Sequence, residues 1–155
     1  MKRQPFNDLA LAVARVVVGV IFIAHGWQKL ATNGLDATSQ GFAGMGVPLP
    51  TLSAGLAGTI ELVGGIALLV GAFTTVAGIA TALVMFGAFW FAHLGSGVFA
   101  AEGGWEVVGA LGAASLALAA AGAGRFSVDG LLAQRSQRSQ RDVAAPATER
   151  EHADV

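Results

Sequence analysis

The chain has 155 residues, 54% of them hydrophobic and only 12% charged, with a formal net charge of −1 and no cysteine. So little charge cannot cover a soluble domain of this size, and a near-neutral balance supplies no basic surface for nucleic acid. Without a thiol, the chain cannot itself carry out dithiol exchange, hold a thiolate-ligated cluster or form a disulfide. Any redox role must therefore use a bound cofactor, a quinone or a partner protein.

Four apolar segments, at residues 9–30, 52–70, 74–94 and 105–123, come near the roughly 20 residues that a membrane-crossing helix needs. They predict an all-α integral membrane protein, a four-helix bundle forming one domain over residues 1–133. The first segment follows Lys2 and Arg3, as a signal peptide would. It is too long, contains Arg15, and ends in His25-Gly26-Trp27-Gln28-Lys29 rather than a small-residue cleavage site, so a retained helix is expected. The glycine-rich stretch 32–50 closes with Pro48-Leu49-Pro50, which delays the second helix. Only Gly71-Ala72-Phe73 separates the second helix from the third, which requires a tight antiparallel hairpin. The short loop 95–104 is glycine-rich and could lie over the bundle as a lid. From Gln134 the composition turns to repeated Gln-Arg-Ser and then to a polar tail, predicting a disordered cytoplasmic segment over 134–155.

Basic residues set the expected orientation. Lys2 and Arg3 precede the first helix, and Arg125, Arg135, Arg138, Arg141 and Arg150 follow the last, whereas stretches 31–51 and 95–104 contain no Lys or Arg. Both termini are therefore expected in the cytoplasm, with Trp27, Trp90 and Trp105 near the outer membrane boundary.

Each apolar helix carries ionisable groups, which are costly in hydrocarbon and tend to face a bundle interior. At 100° per residue, Arg15, Gly19, Phe22, His25, Gly26 and Lys29 share one side of the first helix. Glu61 shares a face with Ala54, Ala57, Gly58, Gly64 and Gly65; His93 aligns with Thr75, Gly78, Ala82, Phe86 and Phe89; Glu106 aligns with Gly109, Ala110, Ala113, Ala117 and Ala120. Small residues let membrane helices approach closely, so these stripes predict the packed faces.

Depth along the helices divides the charges into two layers. Arg15 and Glu61 are expected as a buried ion pair near the midplane, either a functional pair or one that only fixes helix register. His25, Lys29, His93 and Glu106 fall at similar depth toward the outside and form a candidate outer polar pocket. Simpler roles compete for each of them: a snorkelling anchor for Lys29, a helix N-terminal acid for Glu106, and a packing or interfacial role for the histidines. The spacing of His25, His93 and Glu106 is not diagnostic of a metal, and bis-histidine haem fits poorly in so close-packed an interior. No metal and no covalently bound cofactor is expected.

Arg15-x3-Gly19-x-Ile21-Phe22-x-x-His25-Gly26-x-x-Lys29-Leu30 resembles the first helix of the DoxX family of small bacterial membrane proteins. Glu61-Leu62-x-Gly64-Gly65, His93, and Gly122-x-Gly124-Arg125-x-Ser127-x-Asp129 continue the resemblance, which covers about residues 9–131. It implies a four-helix protein of the bacterial inner membrane, linked to thiosulfate:quinone oxidoreductase and to oxidative-stress defence. Arg15, His25, Lys29, Glu61 and His93 carry over as characteristic residues without defined catalytic roles. The function this implies is a membrane subunit of a redox system, with quinone as candidate cofactor and a soluble or membrane oxidoreductase as candidate partner. His25 and His93 would relay protons or hydrogen-bond a quinone oxygen, Glu106 would accept a proton, and Lys29 would attract an anionic substrate. A non-catalytic scaffold, a small transporter and a homo-oligomeric assembly remain open alternatives.

Overall fold

The computed structural model describes residues 5–144 and, within them, is built from helices joined by short turns. Six α-helices follow one another: α1 Pro5–Trp27, α2 Gly34–Gly44, α3 Pro50–Val70, α4 Thr74–Ala88, α5 Glu106–Ala121 and α6 Val128–Ala144. The apolar helices α1, α3, α4 and α5 form the bundle. Two more helices were not expected from the sequence pattern, α2 in the glycine-rich 32–50 stretch and α6 after the last apolar helix. The predicted four-helix architecture is thus refined: three of the apolar helices are long enough to cross a membrane, and α5 is shorter at 16 residues. At about 1.5 Å per residue α5 extends only ~24 Å.

Helix α6 carries the chain through Ala144, into the segment whose composition had suggested a disordered tail. Gln, Arg and Ala are adequate helix formers once a start is fixed, and that start is anchored to the bundle by Asp129, as described below. The rest of the expected tail lies outside the described residues.

Glycines set the close crossings. Gly19 of α1 meets Gly65 of α3, and Gly26 meets Gly58 and Leu62, backbone against backbone. On the other side of the bundle Gly78 of α4 lies against Ser115 and Ala119 of α5. The core between them holds Val18, Phe22, Leu68, Ala77, Met85, Leu111 and Leu118. The stripes predicted on α1 and α3 are the packed ones, apart from the exposed His25. On α5 the predicted stripe faces outward: Ala110, Ala113, Ala117 and Ala120 are exposed, while Leu111, Ser115, Leu118 and Ala119 are buried. That face was chosen because it contains Glu106, but Glu106 lies in the first turn, outside the packed part of the helix.

Candidate functional site

The two ends of the bundle hold separate clusters of polar groups. At the end where α6 attaches, Arg15 is 2% exposed. Its guanidinium donates to the carbonyl oxygens of Ala123 and Phe126, both at 2.6 Å, closing the link between α5 and α6 onto α1. Asp8, also buried, accepts from the Arg125 N–H at 3.2 Å. Asp129 accepts from the N–H groups of Phe73 and Thr74 at 2.9 and 3.0 Å, capping the start of α4. Phe73 has a left-handed backbone (φ 50°), costly for a residue with a Cβ, and Asp129 holds it there. Gly71 in the same turn has φ 71°, and a Cβ on it would collide with the Arg15 guanidinium. Partial burial pushes the Asp129 carboxyl up. The Thr74 and Phe73 N–H groups, the Thr74 hydroxyl and the Arg15 charge outweigh it, holding Asp129 below the usual carboxylate range.

The opposite end contains a chamber of about 630 Å³, a volume suited to a small organic molecule. Its polar side chains are His25, Lys29, Ser53, Glu61 and His93; its walls are otherwise apolar, with Phe42 and Met45 reaching in around α2. Lys29 donates to Glu61 at 2.6 Å, with the carboxylate side 2% exposed and the lysine side 23%. Lys29 and His93 both sit in single turns of π-helix, Gln28–Thr32 and Phe89–His93, which extend α1 and α4. Such turns recur at functional sites because they re-aim side chains and free backbone carbonyls. Here the Thr38 hydroxyl of α2 lies 2.8 Å from the Lys29 carbonyl oxygen, as donor, tying α2 to the rim of the chamber.

The structure brings together three of the four residues of the predicted outer pocket. His25, Lys29 and His93 line one chamber; Glu106 does not. Its carboxylate instead accepts from the Ala100 N–H at 2.8 Å, and the His93 ring bonds the Gly103 carbonyl at 2.8 Å, so both brace the 95–104 loop. The expected Arg15–Glu61 pair is not formed, because each residue has other partners. Side chains tilt toward their own helix N-terminus. On α1 that carries Arg15 away from Glu61 and Lys29 toward it; on antiparallel α3 it carries Glu61 toward Lys29. The crossing at Gly19–Gly65 and Gly26–Gly58 places Glu61 near the level of Ile23, about 12 Å from the level of Arg15 at 1.5 Å per residue. Sequence reasoning therefore missed Glu61 as a chamber residue, although this tilt could have revealed it. It also assigned no role to Asp8 or Asp129, and nothing in the pattern marked the two π turns.

A family model described as DoxX matches residues 10–94, from the second turn of α1 to the end of the His93 turn. The chain belongs to the DoxX family. It is 35% identical over 81 residues to a Bacillus subtilis (strain 168) protein named "Putative oxidoreductase CatD", covering 52% of this chain and 58% of that one. It is 37% identical over 68 residues to the "Inner membrane protein YphA" of Escherichia coli (strain K12), covering 44% and 47%. The chain thus spans about half the length of the curated relatives it matches. No solved structure matches it. Within the DoxX match lie all five polar chamber residues and Arg15, whereas Glu106, Asp129 and α6 lie beyond it.

Proposed function

We propose that this DoxX protein is the quinone-binding membrane subunit of a redox system, linked to the oxidation of a sulfur compound or to oxidative-stress defence. The observation that carries the reading is the chamber beside Glu61: largely apolar walls for a ring and its tail, with the Lys29–Glu61 pair and two histidines among the lining. The residues fit the group. Lys29 and the two histidines are of the types that hydrogen-bond quinone oxygens, and Glu61 holds Lys29 in place. A bound quinone would supply an acceptor for two electrons and two protons. The protein's own part is to bind and orient it, exclude water through α2 and the apolar walls, and hold exchangeable protons on His25 and His93. Electrons would come from a partner oxidoreductase, since the chain has no cysteine for dithiol chemistry. The word oxidoreductase in the name of the Bacillus relative is consistent with this reading.

The basic residues at the α6 end favour a cytoplasmic position for that end, which would put the chamber in the outer half of the bilayer. The decisive experiment is extraction of quinone from protein purified in mild detergent, alongside thiosulfate- and thiol-dependent quinone reduction by membranes of a deletion strain. Co-purifying quinone and a reduced rate without the gene are expected. Quinone-free protein with an unchanged rate sinks the proposal and leaves a scaffold, which capture of a stable partner would then reveal.

A further inference from the structure

Two features of the chamber bear on what it admits. The first is its charge. Among the described residues that line it, only Lys29 and Glu61 are formally charged, and their head groups lie 2.6 Å apart. An ammonium ion facing an apolar chamber would attract anions strongly, because low dielectric leaves charges unscreened. A carboxylate in direct contact cancels most of that field and takes one of the three ammonium N–H donors, leaving the others for a neutral acceptor. The sequence alone suggested that Lys29 draws in an anionic substrate; the structure has that lysine already neutralised.

The second feature is the way in. Helices α3 and α4 touch near their joining turn, where Gly64 lies against the Thr81 methyl. Toward the other end they part, and Ala57 and Ile60 on α3 and Leu83 and Gly87 on α4 become chamber walls. Leu56 and Leu83 line the chamber between two spanning helices and are more than half exposed. An occupant entering between α3 and α4 would arrive sideways from the bilayer, a route that suits lipid-soluble molecules better than hydrated ions.

From these we infer that the Lys29–Glu61 pair makes the chamber selective for a neutral, lipid-soluble molecule and excludes anions, including sulfur oxyanions. This rests on the chamber reading above and narrows it: an anionic electron donor is oxidised elsewhere, on a partner, and never meets the chamber. Glu61 is thereby a specificity-determining residue, acting through Lys29.

The test uses the full chain in nanodiscs, with saturable binding measured above empty nanodiscs. Menadione and 1,4-naphthoquinone-2-sulfonate, its analogue with a sulfonate in place of the methyl, compare one quinone ring with and without a negative charge, and radiolabelled thiosulfate probes the anion alone. In the wild type, menadione should bind at least about tenfold more tightly than its sulfonate, a gap of about 1.4 kcal/mol, and thiosulfate should show no saturable binding. Glu61→Gln keeps an acceptor for Lys29 but removes the cancelling charge, and should acquire saturable thiosulfate binding. That gain should vanish in the Glu61→Gln, Lys29→Met double variant. Equal affinity for the two quinones, or thiosulfate binding unchanged by Glu61→Gln, overturns the inference. The wild-type comparison needs no substitution, so it stands even if the variants fold poorly. If menadione does not bind the wild type while Glu61→Gln still gains thiosulfate, the quinone reading fails and the charge-cancelling role of Glu61 holds.

Discussion

At the α6 end of the bundle, a buried arginine is consumed by two backbone carbonyls, and an aspartate caps the next helix. At the other end, α3 and α4 part around a chamber whose buried carboxylate meets a lysine from a π turn. Both ends spend charged side chains inside an apolar protein, but to different effect. Arg15 bonds to fixed backbone and packs against Gly71, so its contribution is to hold helices together. The Lys29–Glu61 pair borders open volume, so its mutual cancellation bears on what can enter. The comparison teaches that a charge within a membrane helix marks function only when its surroundings leave room for a ligand. The default reading of intramembrane charge as functional separates here into a structural latch and a candidate site.

The largest effect should come from breaking the latch. Arg15→Ala removes two charge-assisted hydrogen bonds and strands two carbonyls, a loss of about 3–6 kcal/mol at roughly 1.5–3 each. Thermal melting in detergent should fall sharply, and Arg15→Lys should recover only part, since a lysine lacks the planar fork. Menadione affinity measured on whatever folded protein remains should be unchanged. A selective loss of affinity would erase the distinction between the ends.

Next comes a pair of double-mutant cycles. Lys29→Met with Glu61→Gln should show coupling of about 1–3 kcal/mol, as expected for residues in direct contact. Arg15→Ala with Glu61→Gln should be additive to within about 0.5 kcal/mol, as for separated sites. Coupling in the second cycle and none in the first would restore the pairing suggested by the sequence.

Gly26→Ala should cost about 1–3 kcal/mol, because its Cβ would meet the α3 backbone and force the helices apart. Gly41→Ala, on the exposed α2 with nothing within 4 Å of the new Cβ, is the matched control and should not lower the melting temperature.

The Asp129 cap predicts a pH dependence at the closed end alone. Its carboxyl is held below its ordinary value, so the stability it contributes is complete above the unfolded pKa. That stability should disappear as pH falls below about 4. Hydrogen-exchange protection of the α6 start and the 71–74 turn, corrected for the pH dependence of intrinsic exchange, should drop there in the wild type and be already low, and flat with pH, in Asp129→Asn. The smallest effect is expected from Glu106→Gln, which weakens one exposed bond to the Ala100 N–H and should cost about 0.5–1.5 kcal/mol at most. It should loosen the 95–104 loop without altering chamber selectivity.

Much of this protein could be read from its sequence, for definite physical reasons. Long apolar runs must become helices in a bilayer because backbone groups have no water to bond, so the four apolar helices and the hairpin at Gly71-Ala72-Phe73 follow from local pattern. The packed faces of α1 and α3 were legible because small residues mark close approach. The outward turn of the α5 alanines was not, since a helix of nearly uniform Ala, Leu and Gly has little asymmetry from which to choose a face.

Tertiary structure alone decided which charge meets which. Arg15, Lys29 and Glu61 are all on inward faces, and periodicity cannot rank their pairings. That choice depends on where α1 crosses α3 and on the opposite tilt of side chains in antiparallel helices. The crossing is set by Gly19, Gly26, Gly58 and Gly65 acting together across the interface. Likewise Asp129 becomes a cap only when α6 folds back onto a turn 55 residues earlier in the chain. Local pattern fixes helices and faces because each is a property of one segment. Partners and cavities belong to several segments at once, and only their packing defines them.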